Sequence, residues 1–339
     1  MHVGKRFGVT YRLSTPIQQI ILSPDNRKAT GVLLQSGESL TADIVICNAD
    51  LVYAYSSLLP STSYSHSLSK RHTSCSSVSL YWSLSKTVPE LGAHNIFLPE
   101  GDYKASFDAT FNDLAIAEHP TFYVHVSSRV DSSAAPKGRD GVVVLFLIGN
   151  LGGRNRGTGS FSDDDVKDSG DKEPVVGEIM DWDKTLAAVR KTVIDTIKTR
   201  AGVDLTPLIT HEEVNTPHTW RSKFNLDRGA ILGLSHNLFN VVSFRPKTKH
   251  PTLEGLYFVG ASTHPGTGVP VCLAGAKIVC EQILEAEGMG FPWAPGGVVE
   301  ERRAKGKAGK LDDISARPVL SWVHVVLLVL ALAVLAWTV

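Results

Sequence analysis

Short apolar runs separated by turn residues dominate the first fifty positions of the chain. Their alternating or continuous apolar pattern predicts strands at 9–13, 17–22, 29–35, 39–40 and 42–47. Polar turn residues separate neighbouring runs, which is typical of a small meander that leads into an α/β sheet. The last run has the pattern of a buried strand, and it ends at Asn48-Ala49-Asp50.

Strand patterns return after position 75, and one helix interrupts them. Apolar runs predict further strands of a mixed sheet at 76–84, 95–98, 121–126, 142–147 and 208–214. At 182–201, apolar residues recur at the spacing of an amphipathic helix, with basic residues between them.

Six aromatic residues fall within these predicted strands: Tyr81, Trp82, Phe97, Phe122, Tyr123 and Phe146. Two interpretations are open, since strand aromatics usually pack in a core but could also line a tunnel for a long apolar ligand. His125 is interpreted as a sheet histidine with satisfied hydrogen bonds rather than as a base.

A strand, a glycine-containing loop and a helix are predicted between 255 and 287. Four consecutive apolar residues, 256–259, lie between Gly255 and Gly260, and Pro270 suits the first turn of a helix. The apolar stripe predicted for this helix is Leu273, Ala276, Cys280, Ile283 and Leu284. Free amides at a helix N-terminus favour an anionic ligand, although tight packing without a ligand is the alternative.

The motif at 256–270, Leu-Tyr-Phe-Val-Gly-Ala-Ser-Thr-His-Pro-Gly-Thr-Gly-Val-Pro, closely resembles the C-terminal flavin-contacting motif of bacterial and fungal-type phytoene desaturases. These are FAD-dependent enzymes of the amine-oxidase-like superfamily. The segments at 15–20, 31–34 and 42–50 resemble the second half of that family's FAD-binding domain. The resemblance implies an α/β fold with an α+β substrate domain, in which FAD contacts eight residues: Ile17, Asn48, Ala49, Gly260, Ala261, Gly268, Val269 and Pro270.

The same resemblance implies a domain order. The second part of the FAD-binding domain occupies 1–55, the substrate domain 56–245, the return to the FAD-binding domain 246–288, and a basic linker 289–318. A polar insertion, expected to be disordered, lies at about 150–175. Arg245 is expected near the dinucleotide or near an internal carboxylate. His264 is expected to be either catalytic or a brace of its loop, and no catalytic acid or base is assigned.

The family's Gly-x-Gly-x-x-Gly loop, which holds the cofactor pyrophosphate, has no counterpart in this sequence. The chain is therefore interpreted as the C-terminal portion of a family member, and the resemblance does not imply that this polypeptide alone is active. The alternatives are an inactive tail-anchored fragment and another flavin oxidoreductase, such as a retinol saturase-like enzyme.

Charge and cysteine content bear on whether the protein binds nucleic acid or a metal ion. Lys and Arg together number 34, as do Asp and Glu, so no global charge favours nucleic acid. The four cysteines show no metal-type spacing and are predicted to be mostly buried thiols. Asp163-Asp164-Asp165 is interpreted as a solvated charge run, and no metal site is predicted.

The C-terminal 21 residues, 319–339, contain no Asp, Glu, Lys or Arg. As a helix they would measure about 31 Å, which matches the thickness of a bilayer core. Trp322 and Trp337 lie near the two ends, and basic residues lie only on the N-terminal side. This pattern predicts a single-pass anchor in the endoplasmic reticulum or a similar endomembrane, with the globular part facing the cytosol.

The resemblance implies stepwise dehydrogenation of phytoene, a C40 hydrocarbon that resides in lipid, towards lycopene or a more desaturated carotene. Hydride passes to FAD, and oxygen, a quinone or NAD(P) is the final electron acceptor. The expected partners are the lipid bilayer and the carotenoid, with self-association at the membrane left open.

Overall fold

The computed structural model describes residues 1–111, 120–152 and 181–293. The predicted anchor at 319–339 lies outside these residues, as do most of the linker and most of the polar insertion. Within the described ranges, no helix is both long and apolar enough to cross a membrane. The chain divides into a large unit, residues 1–282, and a small unit, residues 283–339.

In the small unit, residues 283–286 form the C-terminal end of the helix Val269–Ala286. The rings of Phe291 and Trp293 also stack in this unit, with centroids 6.2 Å apart.

The N-terminal strands form a three-stranded antiparallel sheet. Its strands are β1 (Ile17–Leu22), β2 (Ala29–Leu34) and β3 (Ser39–Thr41), in the order β1-β2-β3. The strand predicted at 9–13 is wrong: Val9, Tyr11 and Leu13 are exposed, and no described strand pairs with this segment. Alternation of apolar residues produces a strand only where a neighbour supplies hydrogen bonds, and this segment has no such neighbour among the described residues.

Two short parallel strands form the second sheet. β4 (Val45–Cys47) pairs in register with β10 (Leu256–Phe258), and all three residues of β10 are buried. A short helix, α2 (Leu51–Tyr53), follows β4 after the three residues 48–50 and continues as a π-helical turn, Ala54–Leu58. The long helix α7 (Val269–Ala286) follows β10 after a loop. The carboxyl ends of both strands therefore meet at one edge, where ligands of α/β proteins commonly bind.

The third sheet is antiparallel and has the order β6-β7-β8-β5-β9. Its strands are β5 (Ser76–Leu84), β6 (His94–Phe97), β7 (Phe122–Val126), β8 (Gly141–Ile148) and β9 (Ile209–Asn215). The other α-helices in the described ranges are α1 (His2–Arg6), α3 (Ser63–Ser69), α4 (Tyr103–Phe111), α5 (Trp182–Ala201) and α6 (Pro217–Phe224).

One face of the five-stranded sheet is covered by α5. This helix begins at Asp181, whose carboxylate accepts a hydrogen bond from the Lys184 amide at 3.2 Å, and it ends at Gly202 in the left-handed conformation. Its buried residues Val189, Val193 and Ile197 belong to the same core as the sheet. Each such side chain contributes about 1.5–3 kcal/mol by leaving water, so this contact stabilises the domain strongly.

The sheet divides the six strand aromatics between its two faces. Trp82, Phe97, Phe122 and Phe146 are buried in the core shared with α5. Tyr81 and Tyr123 alternate with core residues along their strands, so they lie on the opposite face. The core interpretation is therefore confirmed for the first four residues.

Helix α7 buries a different face from the predicted one. Gly275 and Val279 are its buried residues, whereas Leu273 is 67% exposed. A Cβ added to Gly275 would lie 3.2 Å from the Cδ atom of Pro265, so the helix approaches its own loop closely at this glycine. The apolar stripe did not reveal this face, because close approach needs a small residue rather than a large apolar one.

The cysteine prediction is confirmed in part. Cys47 and Cys75 are buried free thiols, and burial raises the pKa of Cys75 to about 11. Cys272 is half-buried and Cys280 is exposed, so the prediction was wrong for Cys280. The predicted α/β class is confirmed by the parallel strand pair and by the helix-covered antiparallel sheet.

Candidate functional site

An open cavity of about 120 Å³ lies where β4 and β10 end. Three segments line it: residues 48–51 after β4, residues 259–263 after β10, and Leu226, Ile231 and Gly233 from the segment after α6. The parallel pairing of the two strands brings the first two segments together, although about two hundred residues of sequence separate them.

Four of the eight predicted cofactor-binding residues line this cavity: Asn48, Ala49, Gly260 and Ala261. The other four are not among its described lining residues. Ile17 starts β1, and Gly268, Val269 and Pro270 lie at or just before the first turn of α7. The structure therefore brings together half of the predicted set, and the role of all eight in cofactor binding stays a prediction.

Gly260 lets the chain turn sharply after β10. Its φ is +129°, and a Cβ at this position would lie 2.9 Å from the Oδ1 atom of Asn48. A side chain here would therefore be strained and would also press on the segment after β4. This glycine explains how the two lining segments can approach each other.

Side chains and backbone groups fix the loop that follows Gly260. The hydroxyl of Ser262 accepts a hydrogen bond from the Leu234 amide at 3.1 Å, and the hydroxyl of Thr263 donates to the Gly260 carbonyl at 3.0 Å. The His264 amide donates to the carbonyl of Pro246 at 2.8 Å. The backbone of His264 thus helps to hold the loop, and its side chain is not among the cavity-lining groups that the structure describes.

Three consecutive amides of the loop have no acceptor among the residues that the structure describes. Within the described part of the chain, no hydrogen bond is donated by the backbone N–H of Gly260, Ala261 or Ser262. Partly buried amides almost always find an acceptor in folded proteins. A ligand with acceptor atoms or negative charge in the cavity would satisfy these three groups.

Asp50 adds a carboxyl group to the cavity wall. It caps α2 by accepting a hydrogen bond from the Tyr53 amide at 3.0 Å. Burial, together with the charge of Asp227, raises the pKa of Asp50 to about 6. Burial also raises the pKa of Asp227, whose Oδ2 atom has no hydrogen-bond partner among the described residues and lies 3.7 Å from Nε of Arg228.

Sequence reasoning did not single out either carboxyl group as functional. An aspartate directly after a buried strand and before a helix is a signal that could have located Asp50. No sequence signal indicates that Asp227 lies beside it, because the contact joins distant parts of the chain.

Arg245 was expected near the dinucleotide or near an internal carboxylate. Among the described residues, no carboxylate contacts it. Its guanidinium donates to three backbone carbonyls: from Nε to Thr263 at 3.1 Å, from Nη1 to Asn240 at 2.6 Å, and from Nη2 to Ala261. The residue is 3% exposed, and no described carboxylate pairs with it. It is therefore a buried cation held entirely by the backbone.

The structure places His125 as predicted. Its Nδ1 atom lies 2.7 Å from the carbonyl oxygen of Ala93, and its ring stacks on that of His94 with centroids 5.0 Å apart. Among the described residues, no group of three or more His, Cys, Asp or Glu side chains could hold a metal ion.

The amino-acid sequence of the chain is similar to those of carotenoid enzymes. No protein-family model matches it. The chain is 52% identical over 318 residues to the phytoene desaturase of Fusarium fujikuroi, an alignment that covers 93% of this chain and 54% of that protein. It is 47% identical over 323 residues to the phytoene desaturase of Neurospora crassa, covering 92% of this chain and 50% of that protein.

The resemblance predicted from the motif is confirmed by these identities: the chain is a homologue of fungal phytoene desaturases over most of its own length. It spans about half the length of these curated relatives. Among solved structures, an oxidoreductase from Methanosarcina mazei is similar with a TM-score of 0.45 at 13% identity, covering 79% of this chain and 49% of that one.

Proposed function

We propose that this chain is the part of a carotenoid desaturase that contacts both flavin and substrate, and that the whole enzyme introduces conjugated double bonds into phytoene. The observation that carries the proposal is the cavity at the carboxyl ends of β4 and β10, whose wall includes motif residues 259–263. These residues belong to a chain that is 52% identical to a phytoene desaturase over 318 residues. Flavin binding here and desaturation by the whole enzyme are the two parts of the proposal.

The residues at the cavity fit a flavin cofactor, which we take to be FAD. The unpaired amides of Gly260, Ala261 and Ser262 can donate to the polar edge or phosphates of a dinucleotide. Leu51, Leu226 and Ile231 supply an apolar wall on other sides of the same space. A planar ring system with one polar edge needs this combination of donors and apolar surface.

A bound flavin supplies the oxidising chemistry, since it accepts hydride from a saturated carbon pair. The chain's own residues would hold and orient the cofactor. The carboxyl group of Asp50, with a pKa raised to about 6, also gives the cavity a group that can take up or release a proton near neutral pH. We leave the final electron acceptor open, with NAD(P) as one candidate.

The substrate domain offers a sheet face on which aromatic and aliphatic side chains lie among polar ones, and this face could hold a long hydrocarbon. The face of the five-stranded sheet opposite α5 carries Tyr81, which is 36% exposed, Ile96, which is 69% exposed, and Tyr123. We place the C40 substrate along this face, because Tyr81 and Tyr123 are the strand aromatics that the core does not use. This sheet lies within residues 56–245, the range that the family resemblance assigns to the substrate domain.

We also propose that 319–339 anchors the protein in a bilayer, from which an apolar substrate would be drawn. The support is the uncharged 21-residue segment and its flanking basic residues. Membrane fractionation of the full chain and of a version ending at residue 318 tests this. Recovery of the full chain in the soluble fraction, at the level of the shortened chain, would overturn the anchor.

Expression of the chain joined to an N-terminal dinucleotide-binding unit with the Gly-x-Gly-x-x-Gly loop, in bacterial cells that accumulate phytoene, tests the function of the whole enzyme. The expected result is a purified protein with a flavin absorption spectrum and cells that contain conjugated carotenes, whereas the chain alone serves as the comparison. A chain that retains no flavin and forms no carotene favours the inactive fragment. A chain that saturates all-trans-retinol but leaves phytoene unchanged favours the retinol saturase-like alternative.

A further inference from the structure

Arg245 is a buried positive charge without an acidic partner among the described residues. Taking a charge out of water is costly unless an opposite charge and hydrogen bonds compensate for it. Three carbonyl oxygens provide the hydrogen bonds here, but they carry only partial charges. The neighbouring His236 does not supply the missing negative charge, since burial, followed by the charge of Arg245, lowers the pKa of its imidazole.

The carbonyls that Arg245 holds belong to the loop on the cavity wall. Ala261 and Thr263 both line the cavity, and both turn their carbonyl oxygens to the guanidinium. In a trans peptide unit, the C=O and N–H bonds point in opposite directions. The amide of Ser262, which shares a peptide unit with the Ala261 carbonyl, therefore points away from Arg245.

A second layer of contacts fixes Arg245 itself. Its Nη1 atom donates to the carbonyl of Asn240, and the Asn240 side chain donates to the His72 carbonyl and to the Ser235 hydroxyl, each at 3.1 Å. Asn240 is 2% exposed. The guanidinium thus joins the cavity loop to a segment that is anchored independently.

We propose that Arg245 is a positioning residue for the anion-binding side of this cavity. By holding the carbonyls of Ala261 and Thr263, it orients the unpaired Ser262 amide directly and fixes the loop that also carries the unpaired amides of Gly260 and Ala261. An anionic group of the cofactor bound by these amides offsets the buried charge across the loop. The identity of the anion rests on the proposed flavin function, whereas the control of the loop by Arg245 does not.

Amide hydrogen exchange of the full chain, without any ligand, tests whether Arg245 holds the loop in position. Arg245→Met is expected to accelerate exchange at the amides of Val259, Thr263 and His264 on the order of tenfold or more, because hydrogen bonds to a charged donor are strong. These amides are hydrogen-bonded in the wild type, so their exchange reports the position of the loop. Unchanged exchange in this variant would overturn the positioning role.

Arg129→Met is the matched control. Arg129 is partly buried, and it pairs with Asp140 at 2.7 Å beside the five-stranded sheet, in the connection between β7 and β8. This variant is expected to lower overall stability and to leave the exchange of residues 259–264 unchanged under native conditions. Equal acceleration in both variants would show that the effect is general destabilisation, which contradicts the proposal.

A titration with FAD, monitored by the quenching of flavin fluorescence, tests whether the positive charge of Arg245 contributes to cofactor affinity. At equal fractions of folded protein, Arg245→Met is expected to weaken FAD binding at least about tenfold, whereas Arg245→Lys, which keeps the positive charge but not the three guanidinium donors, is expected to show an intermediate affinity. Equal affinities of the Met variant and the wild type would overturn the link to the anion. If the wild type binds no FAD but the exchange result holds, the proposed flavin function falls and the positioning role stands.

Discussion

The carboxyl group of Asp50 lies close enough to that of Asp227 for the charge of one to oppose ionisation of the other. Burial is the larger cause, and together they raise the pKa of Asp50 from 3.8 to about 6 in the folded chain. The folded state therefore holds this proton more tightly than the unfolded state does. The stabilisation is complete below pH 4 and is lost as the pH rises through 6.

Asp50→Asn is expected to stabilise the folded chain above pH 7. The shift corresponds to about 3 kcal/mol at most. Asparagine can still cap α2, so the helix keeps its first hydrogen bond. Urea unfolding at pH 4 and pH 8 measures the effect: the free energies of unfolding of variant and wild type should be similar at pH 4 and should separate at pH 8.

Asp181→Asn is the matched control for this prediction. Asp181 also caps a helix, but it is exposed, and hydrogen bonds from Lys184 lower its pKa. Its replacement should not produce a gain in stability at pH 8. The explanation from the buried carboxyl pair fails if Asp50→Asn and the wild type show the same dependence of stability on pH.

The predictable part of the fold consists of long segments with one clear period. The expected strand at 76–84 and the expected helix at 182–201 match β5 and α5 to the residue. Both have a continuous apolar face that packs in one core, so the local pattern and the tertiary contact agree. The shorter expected strand at 42–47 is confirmed only at Val45–Cys47, because its pairing with β10 covers three residues.

The candidate site was predictable only where a motif marks it. Asn48, Ala49, Gly260 and Ala261 were located by resemblance, and the structure brings them to one cavity. The environments of Asp50 and Arg245 were not predictable, because each depends on contacts between segments that are remote in sequence. A single sequence contains no signal for a buried charge that backbone carbonyls hold.

Gly233 is expected to tolerate alanine poorly. Its φ is +68°, and an added Cβ would lie 2.2 Å from the Oγ atom of Ser262 on the cavity wall. Backbone strain alone costs about 1–3 kcal/mol, and the collision with Ser262 adds to it. Thermal unfolding of Gly233→Ala should therefore show a large loss of stability, part of which Ser262→Ala restores in the double variant.

A substitution at Gly37 measures the cost of backbone strain without the collision with Ser262. Its φ is +88°, but nothing lies within 4 Å of a Cβ built there. Gly37→Ala should therefore show the backbone strain without the collision. If Gly37→Ala and Gly233→Ala lose the same stability, the close approach to Ser262 has no energetic effect.

The ion pair between Arg129 and Asp140 gives a pH dependence of the opposite sign to that of Asp50. Burial opposes ionisation of Asp140, but hydrogen bonds from Arg129 and Ser128 outweigh it and lower the pKa. The stabilisation is present above the unfolded pKa of 3.8 and is lost as the pH falls through the folded value. Arg129→Met should cost about 3–5 kcal/mol at pH 7, because it leaves the buried carboxylate unpaired. Urea unfolding measures this loss, and a loss below about 1 kcal/mol would contradict it.

Phe122 and Tyr123 are neighbours on β7 that face opposite sides of the sheet, so they distinguish core from candidate substrate surface. Phe122 is 1% exposed and stacks on Phe97 with ring centroids 4.7 Å apart. Phe122→Ala should cost about 3–5 kcal/mol by leaving a cavity in the core, as measured by urea unfolding. Tyr123→Ala loses a hydrogen bond to His94 at 2.5 Å but little core packing, so it should cost less than about 2 kcal/mol.

The same two variants test where the hydrocarbon lies in the proposed enzyme. Tyr123→Ala should leave the amount of folded protein near that of the wild type and should change the yield or length of conjugated carotenes in phytoene-accumulating cells. Phe122→Ala should lower carotene yield only in proportion to the folded protein that remains. A Tyr123→Ala variant with normal products would place the substrate away from this face of the sheet, because a contact surface for a polyene cannot lose an aromatic side chain without changing how the substrate is held.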